Sequence, residues 1–586
     1  MAATQGFGAV PLDARNTRFR LWAPDARAVA VELPHARVPM TRGADGSFEA
    51  IAEAPPGTRY RFRIDDRLSV PDPASRWQPD GVHGDSVVLD TARHRWRCAH
   101  WRGRPWREAV ICELHVGACG GYRGVMAQLP QLARWGITAI ELMPLAQFPG
   151  TRNWGYDGVY PYAPAAAYGT PEELKALVDA AHAHGLMVLL DVVYNHFGPD
   201  GNYLGEYAKG FFRDDIATPW GAAIDFRQPA VKRFFIDNAL MWLRDYRFDG
   251  LRLDAVHAIR PGAFLRELRE AVERATPGRH VHLVLENEAN EASLLAHGTR
   301  RGFRAQWADD FHNALHVLLT GEHEGYYGDY AGDPARKLAR ALGEGFAFQG
   351  ERTRAGHRRG EPSAMLPPHA FVVFAQNHDQ IGNRAFGERL RALVPPRALR
   401  AALALTALTP MIPLFFMGEP WGCARPFLFF TDHAPPLDEA VREGRRREFA
   451  AFAAFADPQR RARIPDPNAE ATFRASCPDI AEAARGEGAA WAVWFASLLA
   501  KRREAIVPHL DRARPLGARA IGTRAVRASW SLDAGGRLHL AANFAHRALA
   551  LDAPLPGRVL HAEPADAAGC GEGLPPQSLL VTLEQA

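Results

Sequence analysis

Four short apolar runs in this chain end in acidic, basic or imidazole side chains: Asp191 to His196 (DVVYNH), Phe248 to His257 (FDGLRLDAVH), Glu286-Asn287-Glu288, and Gln376 to Asp379 (QNHD). Within the second, Arg252 and Asp254 lie two residues apart, so on an extended strand both point to the same side. Taking a guanidinium and a carboxylate out of water costs several kcal/mol per ion. Alone, that Arg-x-Asp reads as readily as a structural ion pair at a strand end. Four acidic strand ends with interleaved His and Arg read as a site. With several carboxylates, no nucleotide motif and no evident metal-ligand set, the chemistry they suit is cleavage of a glycosidic bond. That reaction takes one carboxylic acid to protonate the leaving oxygen and one carboxylate to attack or stabilise the oxocarbenium-like carbon. A neighbouring arginine keeps the second ionised, whereas the first must be held protonated near neutral pH by burial or nearby negative charge.

Side chains gathered in this way need strands that end together. Apolar runs alternate with amphipathic helices from about 108 to 460, which predicts βα units and a parallel sheet. The expected strands are Val110–Leu114, Ile137–Met143, Leu186–Val193, Leu251–Asp254, Val281–Leu285, Ala305–Trp307, Phe371–Ala375 and Pro413–Met417. Eight such units fit an α/β class (β/α)8 TIM barrel, whose active site lies at the C-terminal ends of the strands. A doubly wound sheet would need a Gly-rich turn after its first strand, and none is there. Thr170 and Pro171 mark a helix start and Gly185 its end. Two connections exceed what the scaffold needs: 197–226 after strand 3, rich in Gly, Asp and aromatics, and 345–369 before strand 7. Such loops usually shape a cleft. Trp154, Tyr156, Trp220 and Phe311 offer faces for sugar rings, although an aromatic is more often core.

Residues 1–95 show short alternating strands with turn signals and read as a β-sandwich of carbohydrate-binding type. Phe19, Trp22, Tyr60, Phe62 and Trp77 there are read as core in preference to a sugar-stacking face. The barrel is assigned to 96–515 and a C-terminal β-domain to 516–586, with strands expected at 525–532, 536–544 and 578–583. A net charge of +4 over 586 residues gives nucleic-acid binding no support. The six cysteines are irregularly spaced, and Cys112, His115 and Cys119 lack the second half of a zinc site. The run Ala401–Met417 is apolar but broken by Pro410 and Pro413, so it reads as a helix and a strand instead of a membrane span. With no basic, apolar leader at residues 1–10, the expectation is a cytoplasmic protein with reduced thiols and no nucleic-acid or membrane partner.

Taken in order, Asp191–His196, Gly250–His257, the Glu286 segment and Phe374–Asp379 resemble the four ordered regions of the α-amylase family, glycoside hydrolase family 13. That resemblance implies a retaining mechanism with Asp254 as nucleophile, Glu286 as general acid/base and Asp379 as a third, transition-state-stabilising carboxylate, and no cofactor or metal. It further implies that Tyr156 stacks on the sugar at the cleaved bond and that His196, Arg252 and His378 hold it, with His257 beside them. Asn153–Gly158, Tyr194–Pro199, Gln306–His312, Asn377–Arg384 and Pro426–His433 are similar to the branch of the family that cuts the α-1,4 bond next to a terminal trehalose on a maltooligosyl chain. By that similarity Asp309, Asp310, Phe311, His312, Gln380 and Asn383 contact substrate, and Trp220 is a candidate from its insertion. The implied pathway partner is maltooligosyltrehalose synthase, with no physical complex. Two departures stand out. Gly117–Gly124 differs from the usual loop after the first strand, and Leu285-Glu-Asn-Glu-Ala289 stands where the family more often has Ala-Glu-x-Asp, so spacing alone does not choose between Glu286 and Glu288. An α-1,6 debranching or branching glucanase of the same family, or a non-catalytic glucan-binding protein on such a barrel, are the competing readings.

Overall fold

The computed structural model describes residues 6–218, 221–295, 302–449, 457–569 and 573–585. At its centre eight parallel strands close on themselves in sequence order: β1 Ile111–Leu114, β2 Ala139–Leu142, β3 Met187–Val192, β4 Gly250–Leu253, β5 His282–Leu285, β6 Ala305–Trp307, β7 Phe371–Val373 and β8 Ile412–Phe416. Each falls where the hydrophobic pattern put it. Most are shorter than expected, by residues lost at one or both ends. The barrel is filled by Ile111, Ala139, Met187, Leu189, Val284, Ala305, Trp307, Val372, Ile412 and Leu414, a packed core in which small and large side chains interdigitate. Gly250 is required where β4 meets β5, since a Cβ there would sit 2.3 Å from the carbonyl oxygen of His282.

The helix predicted after Thr170 runs Pro171–Ala183 and opens with a capping box between Thr170 and Glu173. The apolar run at 401–417 divides between helix Pro396–Leu408 and β8. Among the described residues no helix is long and apolar enough to cross a membrane.

Ahead of the barrel stand two antiparallel sheets, one ordered Gly8–Pro11, Asn16–Trp22, Ser47–Glu53, Thr41–Arg42, the other Ala36–Pro39, Val29–Leu33, Arg59–Ile64, Leu68–Val70. Phe19 of one sheet meets Tyr60 of the other edge-on at 5.0 Å, and Phe19, Trp22, Tyr60 and Phe62 are all buried. The aromatics of this domain, apart from the half-buried Trp77, are core.

The 197–226 insertion folds as two 3-10 turns, Leu204–Glu206 and Lys209–Phe211, and a hairpin, Phe212–Thr218 with Gly221–Ile224. Part of it packs on the N-terminal domain: Asp25 N–H donates to the Tyr207 carbonyl at 3.2 Å, and Asp25 in turn accepts from Lys209 N–H at 2.8 Å. The C-terminal sheet has five strands, ordered Arg514–Ala520, Ala525–Ser531, Arg537–Asn543, Ser578–Glu584, Arg558–Glu563. The three expected from sequence are its central strands. The two missed are its edges, where exposed positions on both faces blur the alternation.

Candidate active site

The ladder between β3 and β4 pairs Asp191 with Arg252. Their side chains meet at the barrel mouth, where Arg252 Nη1 donates to both oxygens of Asp191, at 2.9 and 2.8 Å, and to Asp254 Oδ1 at 2.5 Å. The guanidinium is 4% exposed and lies over the Trp307 ring, 4.4 Å from its centroid, a cation–π contact strengthened by exclusion of water. Asp254 Oδ2 accepts from Asn195 Nδ2 at 2.7 Å. Both oxygens of Asp254 are therefore aimed and fixed, one by a donor on its own strand and the other by a donor just past the end of β3.

Immediately after Asp254 the chain turns through Ala255, whose φ of 42° puts a non-glycine residue in the left-handed region. That turn points the Ala255 N–H at Glu286 Oε2, 2.6 Å away. Glu286 leaves the end of β5 half-buried, with Asp254 and Asp309 as negative neighbours. Burial, helped by those two carboxylates and opposed by Arg252, pushes its carboxyl up to about 8. Glu286 is thus a protonated acid at neutral pH, beside a carboxylate that has arginine and asparagine on its oxygens. Burial likewise pushes Asp309 up to about 7, with Arg359 opposing and Asp379 adding to the shift.

The third carboxylate, Asp379, sits exposed in the short helix His378–Gly382, which Asn377 and Gln380 cap in a capping box. Its Oδ1 accepts from Asn383 Nδ2 at 2.6 Å. Next to it, the buried His378 is held by Glu113: backbone N to Oε2 at 3.0 Å and Nδ1 to Oε1 at 2.5 Å. His378 Nε2 lies 2.9 Å from the Tyr156 hydroxyl, which donates to Asp191 Oδ2 at 2.7 Å. Because that hydroxyl spends its hydrogen on Asp191, both imidazole nitrogens act as donors. Burial opposes the resulting charge, but Glu113 wins and the pKa of His378 is raised. Glu113, His378, Tyr156, Asp191, Arg252 and Asp254 form one unbroken chain of polar contacts.

The expected site residues divide on this geometry. Asp254, Glu286, Asp379, Tyr156, His196, Arg252 and His378 come together at the C-terminal ends of β3, β4, β5 and β7. His196 lies between Asn195 and the Tyr156 carbonyl, 3.0 Å from its Nε2. His257 is half-buried, with Glu288 and Asp254 near enough to act on its charge. Glu288 is exposed, and it is Glu286 that the Ala255 amide engages. Gln380 and Asn383 flank Asp379, each with a side-chain bond back to its own helix. Asp309 opens helix Asp309–Thr320 at the cleft, but the next three residues lie beneath it. Asp310 has no exposed side-chain surface and accepts from Asn290 Nδ2 at 3.0 Å, Ala347 N at 2.6 Å and Phe348 N at 3.1 Å. Phe311 is fully buried, and His312 bonds the Ala375 carbonyl at 2.7 Å and the Tyr327 hydroxyl at 3.0 Å. These three support the cleft from below, in contrast to the substrate contact expected of them. Trp154 likewise is buried, stacked on Phe427 at 5.3 Å. Trp220 lies outside the described residues.

Sequence reasoning passed over Glu113, Asn195 and Trp307, which hold the charged groups in place, and Glu141 on β2. Glu141 is 1% exposed, has no hydrogen-bond partner on either carboxyl oxygen, and is pushed well above the carboxylate range by burial. The available signal was a charge inside an apolar run, the same signal that singled out Arg252. Beside Asp379 a cavity of about 690 Å³ opens between the 320–327 loop and the helix carrying Gln380 and Asn383, with Tyr326 at 55% exposure on its wall.

A closed parallel barrel with this set of carboxylates at its mouth defines a glycoside hydrolase of the α-amylase class. Residues 84–215 match the alpha amylase catalytic domain, 6–77 match carbohydrate-binding module 48 (isoamylase N-terminal domain), and 513–581 match a domain of unknown function. The chain is 44% identical over 512 residues to the malto-oligosyltrehalose trehalohydrolase of Deinococcus radiodurans, covering 86% of this chain and 84% of that one. It is 40% identical over 566 residues to that of Rhizobium sp. strain M-11, covering 92% of each. The crystal structure of a putative alpha amylase from Salmonella typhimurium superposes with a TM-score of 0.93 at 43% identity, covering 99% of both chains. The chain belongs to the malto-oligosyltrehalose trehalohydrolase family.

Proposed function

We infer that the chain hydrolyses the α-1,4 bond next to the terminal trehalose of maltooligosyltrehalose, releasing trehalose and a maltooligosaccharide. The observation that carries the mechanism is the contrast between two adjacent carboxyl groups, Asp254 bonded on both oxygens by Arg252 and Asn195, and Glu286 kept protonated by burial. In the first step Glu286 gives its proton to the glycosidic oxygen as Asp254 attacks the anomeric carbon. The bond to trehalose breaks, trehalose departs as the free alcohol, and the maltooligosyl unit stays on Asp254 as an ester. Glu286, now a carboxylate, takes a proton from water. That water attacks the same carbon, frees the sugar with its anomeric configuration retained, and restores both groups.

In this mechanism Asp379 stabilises the oxocarbenium-like carbon. Tyr156 and His378, stacked at 5.3 Å, form a platform for the sugar at the cleaved bond, with His196, Arg252 and His257 around it. Asp309, Gln380 and Asn383 contact the neighbouring units, and Tyr326 presents a ring to the sugars lying in the cavity beside Asp379. The substrate implies a preceding reaction that builds trehalose onto a maltooligosaccharide, the work of a maltooligosyltrehalose synthase. The five described cysteines are all unpaired, which supports a reducing, cytoplasmic setting.

The test is product analysis. Maltooligosyltrehalose should yield free trehalose with retention at the new reducing end, while pullulan and glycogen should be attacked poorly. Absence of trehalose alongside α-1,6 cleavage products would transfer the assignment to a debranching enzyme.

A further inference from the structure

One wall of the cavity beside Asp379 is the link between helix Asp309–Thr320 and Tyr326. Gly321 and Gly325 bracket this link, both with φ in the left-handed region, at 79° and 58°. Among the described residues only Glu322, of the three side chains between them, bonds outside the link, since His323 Nδ1 turns back to the Gly321 carbonyl at 3.2 Å. Glu322 reaches two partners. Its Oε1 and Oε2 accept from Arg384 Nη2 and Nη1 at 2.9 and 2.8 Å, fork on fork, and Oε2 also accepts from His316 Nε2 at 2.7 Å.

The two partners belong to opposite sides of the cavity. His316 is on helix Asp309–Thr320, and its ring lies flat on that of Tyr327, 4.2 Å away and 9° from parallel. Burial lowers its pKa, and its Nδ1 is buried with no hydrogen-bond partner among the described residues, so a neutral ring donates its one hydrogen to Glu322. Arg384 lies two residues beyond helix His378–Gly382, which carries Asp379. Its carbonyl and that of Gly382 accept from the buried Arg445 at 3.1 and 2.7 Å, so the backbone at this end is itself held. Burial opposes the charge on Glu322, but His316 and Arg384 hold its carboxyl well below the usual range. With 38% of its side-chain surface exposed, such a pair adds little to the stability of the chain. What it supplies is geometry, a clasp from the Tyr326 wall to the Asp379 wall.

We propose, on the hydrolytic reading of the site, that Glu322 is a positioning residue for the substrate: by fastening the Tyr326 wall to the segment that carries Asp379, it fixes the width of the cavity and so the seat of the sugar units beyond the reacting one. Tyr326 stands near enough to Asp379 and Asp309 for both carboxylates to act on its hydroxyl. An unfastened link would have to be ordered by each substrate that binds, at a cost in affinity, whereas a clasped one is in place beforehand. The partners of Glu322 are Arg384 and His316, not the reacting carboxyl groups, so its effect belongs to binding and not to the chemical step.

Steady-state trehalose release from maltooligosyltrehalose, and calorimetric binding of the same substrate in a Glu286→Gln background, test this with Glu322→Ala, Glu322→Gln, Arg384→Ala and the Glu322→Ala/Arg384→Ala double variant of the full chain. Each alanine variant should raise KM and Kd about tenfold, with kcat within about twofold of wild type and Tm nearly unchanged. Glu322→Gln, which keeps the shape and loses the charge, should fall between them and the wild type. The double variant should be no worse than the single ones, since either substitution alone opens the clasp. A maltooligosaccharide with the same number of glucose units is the second ligand. Weakening confined to maltooligosyltrehalose places the trehalose end in this cavity, and equal weakening of both places the glucan chain there. Unchanged Kd for both ligands, a loss confined to kcat, or single-variant losses that add up in the double variant overturns the proposal. A wild type that releases no trehalose refutes the hydrolytic reading instead, and the Kd values still decide the role of Glu322.

Discussion

Replacing Glu286 with glutamine should abolish catalysis and at the same time stabilise the protein, and the second effect should depend on pH. In the folded chain Glu286 ionises near about 8, against an ordinary value of 4.5. Below pH 4.5 the group is protonated in both folded and unfolded states and contributes nothing to pH dependence. Between pH 4.5 and about 8 the unfolded chain releases the proton while the folded chain keeps it, so stability falls as pH rises through this window. At about 1.4 kcal/mol per pH unit, the cost is below about 1 kcal/mol at pH 5 and reaches about 3 kcal/mol at pH 7. Glutamine has nearly the same shape and cannot ionise, so Glu286→Gln removes that cost. For a chain of this length, with an unfolding entropy near 2.1 cal/mol/K per residue, about 3 kcal/mol corresponds to a rise in Tm of about 2–3 °C. Calorimetric scans of both proteins at pH 5 and pH 7 would measure it. The raised value also determines activity, because at pH 7 about nine-tenths of the protein carries the acid in its working form, where an unshifted glutamate would offer less than about one part in a hundred. The kcat/KM of the wild type should therefore fall above pH of about 8. A gain in Tm that is the same at pH 5 and pH 7, or a wild-type profile that already falls near pH 5, would refute the reasoning.

Other substitutions separate the remaining roles. Asp309→Asn removes a negative neighbour of Glu286, so the alkaline limb of the kcat/KM profile should move to lower pH with trehalose still the product; an unmoved limb would show that the two groups do not communicate. Arg252→Ala strands Asp191 and Asp254 without their shared cation, and should cost about 3–5 kcal/mol of stability by chemical denaturation in addition to activity. In Glu113→Gln the anion that keeps His378 doubly protonated is gone. A loss of about tenfold or more in kcat/KM, with little change in Tm, is expected from one charged hydrogen bond, and an unchanged rate would remove Glu113 from the site. Tyr326→Ala should raise KM more than it lowers kcat if the cavity beside Asp379 holds remote sugar units.

What the sequence disclosed of this site, and what it hid, follows the geometry of strand ends. Alternation holds only while the chain is a strand. It put Arg252 on the same side as Asp254, but β5 ends at Leu285, so parity carries no information about Glu286 and Glu288, which the structure separates by burial. The run Asp309 to His312 reads as four contacts in a row. It is the first turn of a helix, where successive side chains rotate by about 100°, so one residue can face the cleft while its neighbours turn into the core. Glu113 stayed hidden because it lies within Val-Ile-Cys-Glu-Leu, an apolar strand with one charge, and its partner His378 is 265 residues away. Pairings at that separation leave no local trace.

The division of labour between the two central carboxyl groups comes down to how far a single guanidinium reaches. Glu286 and Asp254 share a barrel mouth and are both partly shielded from water, but only Asp254 has a cation bonded to it. Arg252 breaks the symmetry because it stands two residues before Asp254 on the same strand and bonds it directly, while its effect on Glu286 is smaller than that of burial. It is itself anchored by Asp191 below and by the face of Trp307, so it does not follow whichever carboxylate is ionised. Glu286 receives one backbone N–H, and only because Ala255 accepts a left-handed turn. A residue at position 255 that relaxed this turn would withdraw the amide and push the Glu286 carboxyl still higher, trading a longer alkaline reach for a weaker proton donor in the leaving-group step. The strained backbone thus adjusts the same acid that burial creates, and the glycosidase needs it in both protonation states within one turnover.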